Sequence, residues 1–233
     1  MKKVLVAALL CTVSTFAAWD KFPVIEDGKG EAKFEYIAVR QGHDGMRGQD
    51  FGLYGIRFSP LANLELAAYP GYTLGARYQV IPILSAGVDV GFPLPGTRWA
   101  FTPNVQFSMP ITGAITLGSN VDLAVYTEDA ASKYSEGMDL SAGLELDLAI
   151  NEKNTVWVSF DIQKKLTESE RDINGQKYKA EDNKGMVLAP ALGYLITLGN
   201  LDLGTFVGFL FGGEDVGLDP FATAVGIDAS VKF

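Results

Sequence analysis

The sequence predicts an all-β fold, an up-and-down antiparallel β-barrel of about twelve strands that crosses a membrane, with ten or fourteen as the neighbouring even counts. Three observations carry this. Apolar residues alternate with small or polar ones along most of the chain, the period of a strand whose two faces meet different solvents. Outside the first 20 residues no apolar run approaches the ~20 that a spanning helix needs, although 48% of the chain is hydrophobic and mean hydropathy is +0.14, so a membrane fold must be built of strands. The connections between alternating segments sort into short and long ones that themselves alternate, as in a barrel with short turns at one end and loops at the other.

The first residues are a separate element. Met1, Lys2 and Lys3 form a basic start, residues 4–13 an apolar core and residues 14–18 a small-residue exit, which together read as a secretory signal peptide cleaved after Ala17. The only cysteine, Cys11, lies in that core, and the large Leu10 before it argues against a lipoprotein signal. Cleavage leaves no thiol, and with Lys2 and Lys3 gone, 17 basic residues face 28 acidic ones for a net charge of -11. That balance excludes nucleic acid as a partner. A single histidine, His43, excludes the usual His-rich metal sites, and no cofactor is expected.

Residues 18–30 show no clean period, and Gly28 and Gly30 interrupt them, so they are read as a short irregular arm before the barrel of 31–233. Strands are expected at 31–41, 51–59, 63–69, 72–80, 84–92, 98–109, 114–126, 137–150, 155–164, 186–196, 201–212 and 220–233. The first has mixed parity, since Ile37 and Val39 oppose Phe34 and Tyr36. The third and fourth alternate cleanly through Leu64, Leu66 and Ala68, then Leu74, Ala76, Tyr78 and Val80, around the turn pair Pro70-Gly71. Val105 and Phe107, Val121 and Leu123, Leu144 and Leu146, Val158 and Phe160, and Val207 and Phe209 mark the same face on later strands. That outward set contains no Asp, Glu, Lys or Arg, as hydrocarbon requires. Pro103 and Pro190 fall inside predicted strands, where a missing N–H breaks the ladder, which predicts a bulge or a local misassignment. Connections at 59–63, 81–83, 110–113, 151–154 and 197–200 are short; those at 42–50, 93–97, 127–136, 165–185 and 213–219 are longer and polar. Rings collect at both strand ends: Phe34, Phe58, Tyr78, Phe107, Tyr194 and Phe233 at one, Tyr72, Phe92, Trp99, Phe211 and Phe221 at the other, the expected pair of aromatic girdles.

In the last strand Phe221, Thr223, Val225, Ile227, Ala229, Val231 and Phe233 form one face, ending on an aromatic ring. This ending resembles the terminal strand of bacterial outer-membrane β-barrel proteins of the porin-like kind. The resemblance implies that Val225, Ile227, Val231 and Phe233 are an assembly signal. It also implies export to the bacterial outer membrane and contact with periplasmic chaperones, the barrel assembly machinery, outer-membrane lipid and lipopolysaccharide.

The inward parity carries Glu35, Glu65, Asp89, Asp122, Asp139, Glu145, Asp147, Asp161, Asp202 and Asp228 against Lys33, Arg57, Arg77 and Lys232. Arg77, Asp89, Asp122, Glu145, Asp147, Asp161 and Asp228 are the pore-lining candidates. Arg57 and Glu65 straddle a short turn and are expected to meet. Small inward residues, Gly75, Gly87, Gly143 and Gly208 among them, predict a narrow water-filled passage. The expected function is a passive channel for small hydrophilic solutes with cation preference. A second reading is a structural or adhesive barrel anchoring acidic surface loops. An enzyme is not expected: a Ser–His pair or an acid–His rim would have to be built around His43, which has no serine near it in sequence. The inner side of 186–196 and 201–212 is apolar, through Val187, Ala189, Ala191, Leu195, Phe206 and Leu210, and loop 165–185 is the candidate to fold in against it or to stay outside as a solvated loop.

Overall fold

A computed structural model describes residues 21, 25–41, 46–92, 99–127, 134–135, 137–167, 170–173, 176–179, 185–212 and 221–233. The expected signal peptide, His43 and most of the loop acids lie outside them. The strands are β1 (Gly30–Gln41), β2 (Met46–Leu61), β3 (Leu64–Tyr69), β4 (Thr73–Ile81), β5 (Leu84–Gly91), β6 (Ala100–Pro110), β7 (Ile115–Tyr126), β8 (Tyr134–Ser135), β9 (Met138–Asn151), β10 (Asn154–Lys165), β11 (Glu170–Ile173), β12 (Gln176–Lys179), β13 (Met186–Leu198), β14 (Leu201–Phe211) and β15 (Phe221–Lys232). Twelve close into a barrel in the order β1-β15-β14-β13-β10-β9-β7-β6-β5-β4-β3-β2, antiparallel throughout. The other three form a small sheet, β12-β11-β8, so the described parts of loops 127–136 and 165–185 pair with each other.

Its burial is inverted relative to a water-soluble domain. Glu65, Arg77, Asn104, Gln106, Asn120, Glu145 and Asp161 are buried, whereas Leu74, Val105, Val121, Leu144, Val158, Val225 and Ile227 are exposed. Along the barrel strands, the bulged β2 apart, every second residue points into the bore and its neighbours point out, and apolar exposure this continuous is stable only against hydrocarbon. The rings at the loop end touch in series: Phe92 on Trp99 at 5.2 Å, Trp99 on Phe101 at 6.1 Å, and Phe211 on Phe221 at 6.1 Å between centroids.

Four details depart from the sequence reading. The outward face is not wholly free of charge: Arg40 and Lys164 sit on outward positions, each near the loop end of its strand, where a long cationic side chain reaches water. β2 begins at Met46, five residues before the predicted start. The mixed parity of β1 resolves with Ile37 and Val39 turned inward, both buried, beside Glu31, Lys33 and Glu35. Neither proline bulges. Val88 pairs Pro103 and Phe160 pairs Pro190 in unbroken register, while on the opposite side the ladders pass from Phe101↔Val125 to Asn104↔Asp122 and from Leu188↔Phe211 to Ala191↔Gly208 without slipping. Each missing N–H therefore costs rungs on one side and no shift in register. The bulge lies instead in β2, where Lys33 pairs Gly55 and Phe34 pairs Leu53. The extra residue flips parity, so that Phe51 and Leu53 before it and Ile56 and Phe58 after it all point outward.

Candidate functional site

The bore has two unlike walls. Moving round the ring from β1 through β2 to β10, each strand contributes at least one inward polar side chain: Glu31, Arg57, Glu65, Arg77, Asp89, Asn104, Asn120, Glu145 and Asp161. Antiparallel pairing sets opposite charges side by side, and the contacts run on from strand to strand. Arg57 Nη2 lies 2.7 Å from Glu31 Oε2 and Arg57 Nη1 3.4 Å from Glu65 Oε2. Arg77 Nη1 lies 3.2 Å from Glu65 Oε1 and Arg77 Nη2 3.6 Å from Asp89 Oδ2, which also accepts from Asn104 Nδ2 at 3.0 Å. Glu65, 1% exposed, is thus shared by two guanidinium groups, and its Oε2 also accepts the Ile25 N–H at 3.2 Å. The expected meeting of Arg57 and Glu65 is observed.

At the far end of this wall the sheet is acidic and the counter-charge comes from outside it. Lys21, in the arm before β1, is fully buried, its Nζ 2.8 Å and 2.9 Å from the two oxygens of Asp161 and 3.8 Å from Glu145 Oε2. From β10, which holds Lys21, to β3, which holds Ile25, is six steps round a ring of twelve, so the arm touches opposite sides of the bore.

The second wall is apolar toward the loop end, with Asp202, Asp228 and Lys232 confined to its short-turn end. Val187, Ala189 and Ala191 of β13, Phe206 and Leu210 of β14, Ala222 and Ala224 of β15 and Ile37 and Val39 of β1 pack together, with Trp157 of β10 at their border. Two rings lie against the sheet because glycines face them. A Cβ on Gly193 would strike the indole of Trp157, and one on Gly226 would strike Phe206. The rings are 6.1 Å apart, tilted by 42°.

All seven pore-lining candidates are on inward positions. Arg77 and Asp89 join the ion-pair chain, Glu145 and Asp161 meet at Lys21, and Asp228 lies 3.5 Å from Lys33. Asp122 accepts from Asn120, and Asp147 occupies the positions paired with Thr116 and Trp157. They are thus distributed round the wall and not gathered into one ring. Val225, Ile227 and Val231 face outward on β15, and Phe233, just past its end, is exposed as well. The sequence reading missed Glu31, which shares the inward parity of Lys33 and Glu35, Lys165, one residue past the predicted end of its strand, and Lys21, whose only signal was the acid surplus on β9 and β10. Among the described residues no group of His, Cys, Asp and Glu is arranged to hold a metal ion.

The chain matches the family described as MetA-pathway of phenol degradation over residues 27–218. Among solved structures it is similar to an outer membrane channel from Pseudomonas putida F1, with 10% sequence identity, 93% of this chain and 99% of that chain covered and a TM-score of 0.63. It is also similar to the translocator domain of the autotransporter NalP from Neisseria meningitidis, with 12% identity, 100% of this chain and 98% of that chain covered and a TM-score of 0.51. At such identities the likeness is one of fold. No curated protein matches the chain in sequence.

Proposed function

The chain belongs to the MetA-pathway of phenol degradation family, and from that premise we propose that its barrel is a narrow passive channel of the bacterial outer membrane for small hydrophilic solutes, cations preferred over anions. In this reading the leader of residues 1–17 is removed, the short turns face the periplasm, the loops face lipopolysaccharide, and the outward residues of β15 serve assembly. The observation that carries it is the two-walled bore. Adding Glu31, Lys21 and Lys165, which pairs Asp139, to the ten acids and four bases expected there gives, among the described residues, eleven carboxylates against six cations, an acid surplus that favours cation passage. The apolar wall opposite suits solutes with a ring at one end and a polar group at the other, and phenol, whose degradation the family's description names, is one of these.

Planar-bilayer recording on the refolded barrel tests this. The expected result is an open conductance whose reversal potential in a salt gradient has the cation sign, and phenol is expected to enter barrel-containing liposomes faster than protein-free ones. A closed barrel, or one with anion preference, rejects the reading. A barrel that mainly anchors surface loops is favoured by one observation, the sheet formed by β8, β11 and β12. Deleting residues 168–184 separates the two: a channel keeps its selectivity, and a surface module loses its attachment.

A further inference from the structure

We propose that the hollow between Asn120, Gly143 and Asp161 in the lumen wall recognises primary ammonium groups, and that Lys21 is its tethered occupant, displaced when a cationic solute binds. Gly143 on β9 pairs with Asn120 on β7 and with Asp161 on β10, so its missing side chain leaves a gap between an amide and a carboxylate. A Cβ there would collide with the Asp161 carboxylate and lie 2.6 Å from Asn120 Oδ1 and 2.6 Å from Lys21 Cε. The bare Cα is therefore what admits the end of the lysine.

The acceptors in the hollow exceed what Lys21 uses. An ammonium group has three N–H donors. Lys21 reaches both oxygens of Asp161 but stays 3.8 Å from Glu145. Among the described residues, both carboxylate oxygens of Glu145 and Oδ1 of Asn120 meet no hydrogen-bond donor, although the two residues are only 1% and 4% exposed. Buried acceptors left unmet are costly, so the site is better satisfied by an ammonium free to settle deeper than one tied to the arm. Lys21 belongs to no strand, so its release breaks no ladder.

The proposal rests on the channel reading only for the route by which a solute arrives, and its test does not require conduction. Butylammonium chloride is titrated by calorimetry into the mature barrel refolded in detergent, with tetramethylammonium as the control that has charge and no N–H. Lys21→Ala and the near-isosteric Lys21→Met are expected to bind butylammonium at least about tenfold more tightly than the unaltered chain, and tetramethylammonium no more tightly. Adding Asp161→Asn or Gly143→Ala to either variant abolishes that gain. Heat-modifiable migration in gels confirms that each variant is folded. Equal affinities with and without Lys21, or a gain that survives Asp161→Asn and Gly143→Ala, overturns the site. If the titration succeeds and bilayers show no conductance, the channel reading fails alone; if conductance is intact and the titration fails, the ammonium site fails alone.

Discussion

The charged wall of β1 to β10 and the apolar wall of β13 to β15 face each other across one bore, share one backbone pattern and present the same grease to the outside. They are held by different physics. On the charged wall the arginines depend on carboxylates of the neighbouring strands, so that Glu65 serves Arg57 and Arg77 together. On the apolar wall the large rings depend on the absence of a side chain opposite, as Trp157 does on Gly193. Alternation decides that a residue points inward; the partner across the strand decides whether an inward charge or an inward ring is tolerable there.

Substitutions on each wall break or sharpen this contrast. The largest expected effect is Glu65→Ala, which strips a shared carboxylate from the buried Arg77 and the partly buried Arg57 and costs about 3 kcal/mol of stability in denaturant unfolding of the detergent-folded barrel. A loss below about 1 kcal/mol would mean that water already screens this wall, and the contrast would dissolve. Next is Gly193→Ala, which forces the Trp157 ring off the sheet, costs about 2 kcal/mol and lowers single-channel conductance as the indole swings into the bore. Asp89→Asn leaves Arg77 its pair with Glu65, so it costs only about 1 kcal/mol, and its main effect is a lower cation-to-anion permeability ratio. Smallest is Lys232→Ala at the short-turn end: its 2.6 Å contact with Asp202 is on a side chain 49% exposed, and the loss stays below about 0.5 kcal/mol.

Much of this architecture was legible in the order of residues. Alternation alone located the twelve barrel strands, most of their ends within a residue or two, because a hydrocarbon exterior punishes each exception. It also turned all seven candidates inward. What it could not reach were departures from period two. The bulge in β2 hides the parity flip before Ile56, since a one-residue insertion looks like noise in a short apolar segment. Pro103 and Pro190 read as defects because periodicity does not say on which side of a strand the missing N–H falls. Arg40 and Lys164 sit on the outward face because strand ends escape the hydrocarbon rule. Lys21 was out of reach, being placed by a side chain 140 residues distant in sequence and by no local pattern.

The pairing of β1 with β15 is unlike the other eleven contacts of the barrel. Each of those joins strands that follow one another in the barrel, whereas Glu31 meets Lys232 across 201 positions of chain. Until that last seam zips, the nascent sheet carries two raw margins of unsatisfied amides and carbonyls, which a bilayer interior cannot hydrate. A chain deprived of β15 is therefore not a slightly weaker barrel. It is an open curtain with no stable resting place in lipid.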